Sequence, residues 1–114
     1  MHIDLSGRAA LVTGASRGIG RAIALALGAS GAAVAVNYRG SEAAANEVVA
    51  QITQAGGKAI AIQGDVSAAA THEALIKATT AAFGRLDILI NNAGITRDNL
   101  LLRMKADEID DVLN

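Results

Sequence analysis

The feature that most constrains the fold is an apolar run that passes directly into a glycine-rich turn and then into a helix-like segment. Ala9–Thr13 is short, almost wholly apolar and followed by Gly14, which predicts a buried strand. Between Ile19 and Leu27, apolar residues recur at the spacing of one helix face. The turn that joins the two segments reads Gly14-Ala15-Ser16-Arg17-Gly18-Ile19-Gly20. A strand and a helix joined this closely predict a unit in which the helix packs back on its strand.

The same alternation continues along the chain. Three further apolar runs, at Ala33–Asn37, Ala59–Gln63 and Leu86–Asn91, predict strands. After each strand, apolar residues recur at helical spacing. These patterns predict helices over Ser41–Ala55 and Ser67–Phe83 and a last helix that begins at Lys105 or Ala106. The strands are apolar on both faces, which is typical of a parallel sheet covered by helices on either side. The chain is therefore predicted to form an α/β fold with the order βαβαβαβ, a loop and a helix, in one unit over residues 1–114.

Composition excludes several classes of function. The 114 residues carry a formal net charge of −1, so no basic surface for nucleic acid or an anionic membrane is expected. No apolar run approaches the roughly 18 residues that a membrane span needs. The chain has no cysteine, which suits a reducing compartment, and we expect a cytoplasmic location. His2 and His72 are isolated in the sequence, so no metal site is predicted.

The glycines of the first turn are placed as a nucleotide site requires. Gly14 allows a tight turn out of the strand, and Gly18 lets a pyrophosphate approach the backbone at the helix amino end. Gly20 allows close packing of the helix. The alternative is a turn that serves only the packing of helix on strand. The strand before the turn and the helix after it favour the nucleotide site.

Four motifs carry a family resemblance. The segment Thr13-Gly14-Ala15-Ser16-Arg17-Gly18-Ile19-Gly20 resembles the cofactor turn of the short-chain dehydrogenase/reductase superfamily. Two further segments match that superfamily in type and order: Asp65-Val66 after the third strand and Asn91-Asn92-Ala93-Gly94 after the fourth. The stretch from Gly94 to Leu100, followed by Arg103-Met104-Lys105, is similar to the 3-oxoacyl-[acyl-carrier-protein] reductase group.

This resemblance implies a Rossmann-type, doubly wound parallel sheet with strand order 3-2-1-4. It also implies an oxidoreductase of fatty-acid synthesis that reduces a 3-oxoacyl thioester on acyl-carrier protein, and a homotetramer. Asp65 would accept a hydrogen bond from the adenine amino group, and the Val66 amide would meet an adenine ring nitrogen. Asn92, Ala93 and Gly94 would line the ribose and the nicotinamide, whereas Asn91 would tie neighbouring strands. The alternative for Asp65 is a charge that stabilises the start of the next helix.

The segment after the second strand points to NADP(H) rather than NAD(H). NAD sites place an acidic residue there, about 20 residues beyond the glycine turn, but Val36-Asn37-Tyr38-Arg39-Gly40 has none. Arg17 and Arg39 are two cations whose guanidinium groups suit a 2′-phosphate. Asn37 and Arg39 are therefore included among the predicted cofactor-binding residues. The alternative for Arg39 is a solvated loop charge.

The catalytic residues that the resemblance implies are an Asn, a Ser and a Tyr-x-x-x-Lys pair. The only tyrosine is Tyr38, which has Glu42 four residues on, and the resemblance places the Asn about two residues beyond Asn114. We therefore expect the chain to be the N-terminal, cofactor-binding part of a longer enzyme and to be inactive alone. The alternatives are a non-catalytic NADP-binding or interaction module, and a reductase of another ketone such as acetoacetyl-CoA. Arg97, Arg103 and Lys105 would meet the acidic carrier protein or form a solvated surface.

The strand order 3-2-1-4 also predicts an exposed edge. Leu86–Ile90 would lie at the border of the sheet although it is as apolar as a central strand. The last helix would leave its apolar face uncovered. We expect the isolated chain to aggregate or to pair with a second copy through this edge.

Overall fold

The computed structural model describes residues 3–92 and the backbone of residues 101–104. Strands and helices alternate as the sequence predicts. The elements in chain order are β1 Ala9–Val12, α1 Gly18–Ala29, β2 Ala33–Tyr38, α2 Glu42–Gln54, β3 Lys58–Gln63, α3 Ala69–Phe83, β4 Ile88–Asn91 and β5 Leu101–Met104. The helix predicted from Lys105 or Ala106 lies outside the described residues. Within the described ranges, no helix has the length and hydrophobicity that crossing a membrane requires.

The five strands form one sheet in the order β3-β2-β1-β4-β5. The first four are parallel, which confirms the predicted Rossmann-type order 3-2-1-4. In register, Ala10 stands beside Val34 of β2 on one side and beside Ile88 of β4 on the other. β1 is thus the centre of the sheet, and the turn that follows it opens at the middle of the carboxyl edge.

The prediction that β4 forms an open edge is wrong. β5 pairs with β4 in antiparallel orientation, with Ile88 opposite Met104 and Asn91 opposite Leu101. The sequence predicts a loop for this stretch, so the strand is a correction. An unpaired apolar strand exposes a full row of backbone hydrogen-bonding groups, and a following extended segment satisfies them. The expected pairing of two copies through β4 therefore loses its structural basis.

Successive residues of the central strands point to opposite faces of the sheet. On one face, α1 and α2 cover the larger cluster, whose strand residues include Ala10, Val12, Val34 and Val36. On the other face, α3 covers a smaller cluster in which Leu11 and Ala35 are buried with Leu75. Because both faces are covered, these strands are apolar throughout, as the sequence analysis inferred.

The helix ends follow local sequence signals with two differences. Gly84 closes α3 in the left-handed conformation, with φ of 81°, as predicted. Ser41 is the N-cap residue of α2, although its hydroxyl makes no capping hydrogen bond. α3 begins at Ala69 rather than Ser67. The N–H of Ser67 donates to Oδ1 of Asp65 at 3.0 Å, and this turn delays the start of the helix.

An ion pair at the amino edge of the sheet was not foreseen from the sequence. The carboxylate of Asp87 accepts two hydrogen bonds of 2.6 Å from the Arg85 guanidinium. The same carboxylate accepts the N–H of Ala9 at 2.9 Å, and its residue is only 3% exposed. Asp87 therefore fixes the start of β1 beside β4, at the end of the sheet opposite the glycine-rich turn.

Candidate functional site

The glycine-rich turn connects β1 to the amino end of α1. Gly14 and Gly18 have φ of 61° and 63°, a region that other residues rarely adopt. α1 begins at Gly18, and the first N–H groups of an α-helix have no carbonyl partners within the helix. A side-chain carbon placed on Gly18 would meet no atom within 4 Å, so the space above it is open. The turn therefore presents a helix amino end that suits an anionic group.

Gly20 lies where no side chain fits. A Cβ at this position would stand 2.4 Å from the carbonyl oxygen of Gly14 and 2.6 Å from Nδ2 of Asn92. The predicted role of Gly20 was close packing of the helix. In the structure, this close approach brings the first turn of α1 against the glycine-rich turn and against the residue that follows β4.

Thr13 joins the ends of β1 and β4. Its side chain is fully buried, and its hydroxyl oxygen accepts the backbone N–H of Asn92 at 3.0 Å. The hydroxyl also lies 3.3 Å from Oδ1 of Asn91, which ties the two strands as expected for that amide. The side chain of Asn92 donates to the carbonyl oxygen of Gly14 at 3.1 Å. The predicted site residues Ala93 and Gly94 lie outside the described residues.

Asn37, at the end of β2, is one of the most enclosed polar residues of the site. It is 1% exposed, and its Oδ1 accepts the N–H of Gly14 at 3.0 Å. Its Nδ2 donates to the carbonyl oxygens of Ile62 and Gly64, both at 3.2 Å. Asn37 is among the predicted cofactor-binding residues, but these contacts direct its amide into the protein. A polar residue at the end of an apolar strand was the available signal for such a role.

Arg39 and Asp65 meet at the ends of β2 and β3. Arg39 Nε lies 3.7 Å from Asp65 Oδ2, and the Arg39 side chain is 81% exposed. The backbone N–H and the side chain of Ser67 lower the pKa of Asp65 below its ordinary value. The charge of Arg39 adds to this lowering, while desolvation opposes it. Asp65 thus accepts the N–H of Ser67 in the turn before α3 and lies beside Arg39, while the first turn of α3 itself contains no acidic residue.

The remaining predicted residues differ in exposure. Arg17 is the N-cap residue of α1 and is exposed, and Ile19 is 52% exposed although it is a large apolar residue. Ser16 is partly buried, whereas Ala15 is fully buried and its N–H donates to the backbone oxygen of Asn37 at 2.8 Å. Val66 packs in the cluster beneath α3. The described members of the predicted set all lie along the carboxyl edge of the parallel strands, where open α/β sheets bind ligands.

Tyr38 is unsuited to acid catalysis in this position. It is 7% exposed, and its hydroxyl donates to Oε2 of Glu42 at 3.2 Å. Burial raises the pKa of Tyr38, and the hydrogen bond and the charge of Glu42 raise it further. An acid for a carbonyl at neutral pH needs the opposite shift.

Comparisons with known proteins identify relatives of this chain. The family model for short chain dehydrogenases matches residues 8–114. The 3-oxoacyl-[acyl-carrier-protein] reductase of Staphylococcus aureus is 56% identical over 107 residues, which are 94% of this chain and 44% of that protein. The reductase of the same name from Synechocystis is 56% identical over 104 residues, covering 91% of this chain and 42% of that protein. The chain therefore spans less than half the length of these relatives.

Solved structures agree with this grouping. A dehydrogenase/reductase from Sinorhizobium meliloti has a TM-score of 0.78 and 51% identity, covering 81% of this chain and 36% of that one. An angucycline C-6 ketoreductase with bound NADP has a TM-score of 0.73 and 42% identity, covering 83% of this chain and 39% of that one. With the sheet order, the glycine-rich turn and the family match over residues 8–114, the chain belongs to the short chain dehydrogenase family.

Proposed function

We propose that this chain is the NADP(H)-binding part of an oxidoreductase that reduces 3-oxoacyl-[acyl-carrier-protein] to the 3-hydroxyacyl form in fatty-acid synthesis. One observation carries the choice of cofactor. The exposed Arg39, at the end of β2, occupies the place where an NAD site carries an acidic residue. The substrate is proposed from the names of the Staphylococcus aureus and Synechocystis relatives.

The described residues fit such a cofactor. The open space above Gly18 and the free amino end of α1 suit the diphosphate. Arg17 and Arg39 carry the guanidinium groups for the 2′-phosphate, while Asp65 and Val66 border the adenine. Asn92, at the end of β4, leads toward the ribose and the nicotinamide. When bound, the nicotinamide supplies the hydride for a carbonyl carbon.

In the proposed reaction the tyrosine of a Tyr-x-x-x-Lys pair gives the proton to the carbonyl oxygen, and the sequence of this chain has no such pair. Tyr38 is the single tyrosine, and its hydroxyl already donates to Glu42. We therefore propose that the chain alone binds NADP(H) without turnover. The complete enzyme would be a cytoplasmic homotetramer that supplies the Ser and the Tyr-x-x-x-Lys pair.

Isothermal titration of the chain with NADPH and with NADH tests the cofactor. Because charged hydrogen bonds to a phosphate are worth about 1.5–3 kcal/mol, we expect NADPH to bind at least tenfold more tightly. The variant R39Q should lose most of this preference by weakening NADPH alone. K77Q, an exposed cation on α3, is the matched control and should leave both affinities unchanged. Equal affinity of the wild-type chain for NADH and NADPH would contradict the proposed cofactor.

The second candidate is a reductase of another ketone such as acetoacetyl-CoA. Similar solved structures have other substrates in their names, since one is the angucycline C-6 ketoreductase, 42% identical, and another is a hydroxysteroid dehydrogenase of Escherichia coli, 40% identical. Oxidation of NADPH by the complete enzyme, followed with a 3-oxoacyl-carrier-protein and with acetoacetyl-CoA in parallel, separates the two. The carrier-protein thioester should be preferred. The same assay on the 114-residue chain should show no turnover.

A further inference from the structure

The end of β2 lies between two parts of the proposed site, the glycine-rich turn after β1 and the loop after β3 that contains Asp65. β2 lies between β1 and β3 in the sheet, so the turn after β1 and the loop after β3 lie on its two sides. The last β1–β2 pair in register is Val12 with Val36. Asn37 is the next residue, so it lies beyond the end of the β1–β2 ladder but still within the β2–β3 ladder, opposite Ile62.

Asn37 holds both flanking segments at once. On the β1 side, its Oδ1 accepts the N–H of Gly14 at 3.0 Å and its backbone oxygen accepts the N–H of Ala15 at 2.8 Å. On the β3 side, its Nδ2 donates to the carbonyl oxygens of Ile62 and Gly64 at 3.2 Å each. One buried residue therefore sets the position of the glycine-rich turn relative to the segment that leads into Asp65.

An amide satisfies this arrangement because its oxygen accepts from Gly14 while its nitrogen donates to Ile62 and Gly64. An aspartate offers an acceptor to Gly14 but no donor, and it would place a negative charge against the carbonyl oxygens of Ile62 and Gly64. An apolar residue would leave the N–H of Gly14 without this acceptor in a partly buried position. The N–H of Gly14 on one side and the carbonyl oxygens of Ile62 and Gly64 on the other therefore favour asparagine at position 37.

We propose that Asn37 is a positioning residue that sets the spacing between the diphosphate turn and the adenine loop, without itself touching the cofactor. This inference depends on the proposed function, because it assumes a ligand that occupies both segments together. A dinucleotide bound at both places gains affinity only when the two are held at the matching distance. A ligand that occupies the adenine side alone does not depend on that distance.

Two ligands distinguish positioning from general stability. NADPH spans both segments, whereas adenosine, which lacks the 2′-phosphate proposed for Arg17 of the turn, occupies only the adenine side. In the full protein as its gene encodes it, N37D should weaken NADPH binding about tenfold or more, the equivalent of losing a buried hydrogen bond. Binding of adenosine, measured by competition, should change less than about threefold. N46D, on the exposed face of α2, is the matched control and should change neither affinity.

Amide hydrogen exchange in the ligand-free protein provides an independent readout. In N37D, exchange should accelerate in the segments around residues 13–16 and 62–66, while the rest of the sheet keeps its protection. N37A, which removes both the acceptor and the donors, should show the same pattern more strongly. Equal weakening of both ligands, unchanged exchange in the two segments, or loss of the cooperative melt in N37D would each overturn the inference. If the wild-type protein fails to bind NADPH, the proposed function fails and the positioning role fails with it; a changed exchange pattern in N37D would then show only that Asn37 connects the two segments.

Discussion

The hydroxyl oxygen of Thr13 accepts the backbone N–H of Asn92 at 3.0 Å, joining two residues that are 79 positions apart in the chain. Thr13 directly follows β1 and Asn92 directly follows β4, so their contact is not visible as a local pattern. Through this bond, the turn that opens the site and the segment that follows β4 share one fixed position.

Removing the Thr13 hydroxyl should therefore destabilise the fold. T13V keeps the shape of the side chain but leaves the N–H of Asn92 without its acceptor, which should cost about 1–2 kcal/mol in the free energy of unfolding. Urea titration followed by far-ultraviolet circular dichroism measures this loss. T13S keeps the hydroxyl and should lose less. A T13V protein as stable as the wild type would show that the contact contributes nothing.

Gly20 should not tolerate a methyl group. In G20A, the new Cβ would stand 2.4 Å from the carbonyl oxygen of Gly14, so α1 must move away from the turn. We expect a loss of about 1–3 kcal/mol in stability together with weaker NADPH binding, because overpacking displaces the backbone. G40A is the matched control for stability, since a Cβ on Gly40 meets nothing within 4 Å and should change the free energy of unfolding by less than about 0.5 kcal/mol. Equal stability of the two variants would contradict the close packing.

Asp87 should stabilise the amino edge of the sheet. D87A removes the acceptor of the buried Ala9 N–H and the partner of Arg85, and an unsatisfied buried group costs about 1–3 kcal/mol. D87N keeps one acceptor and should lose less. The midpoint of urea unfolding checks both, with E73Q on the exposed face of α3 as the control. NADPH affinity should stay unchanged in the folded fraction of D87N, because this ion pair lies at the opposite edge from the site.

The single tyrosine should titrate above its ordinary pKa of 10.0. Burial and Glu42 favour the neutral phenol of Tyr38 in the folded state, so they stabilise the fold fully at pH values below 10.0. This stabilisation of the fold is lost as the pH rises through the raised pKa of Tyr38. Near-ultraviolet absorbance of tyrosinate follows this residue directly, and E42Q should lower the pKa of Tyr38 without bringing it to 10.0, because burial remains. A wild-type tyrosine that titrates at its ordinary pKa while the protein is folded would contradict this environment.

Much of the fold could be predicted from local patterns. Apolar runs located β1 to β4, and the spacing of apolar residues located the helices, because periodicity depends only on neighbouring residues. Glycine at position 84 predicted the end of α3, since left-handed backbone is a local requirement. The strand β5 was missed because it depends on pairing with β4, which no local signal in Leu101–Met104 reveals.

For the site, the sequence by itself determined which chemical groups are available. It placed glycines, arginines and an aspartate after predicted strands, and parallel strands bring such positions to one edge. Only the tertiary structure decided how each group is used. Asn37 turns its amide inward to Gly14 and Gly64, and Asp65 lies beside Arg39. The physical reason is that hydrogen bonds and ion pairs depend on distances of a few ångströms between segments far apart in the chain, and these distances exist only after the strands have paired.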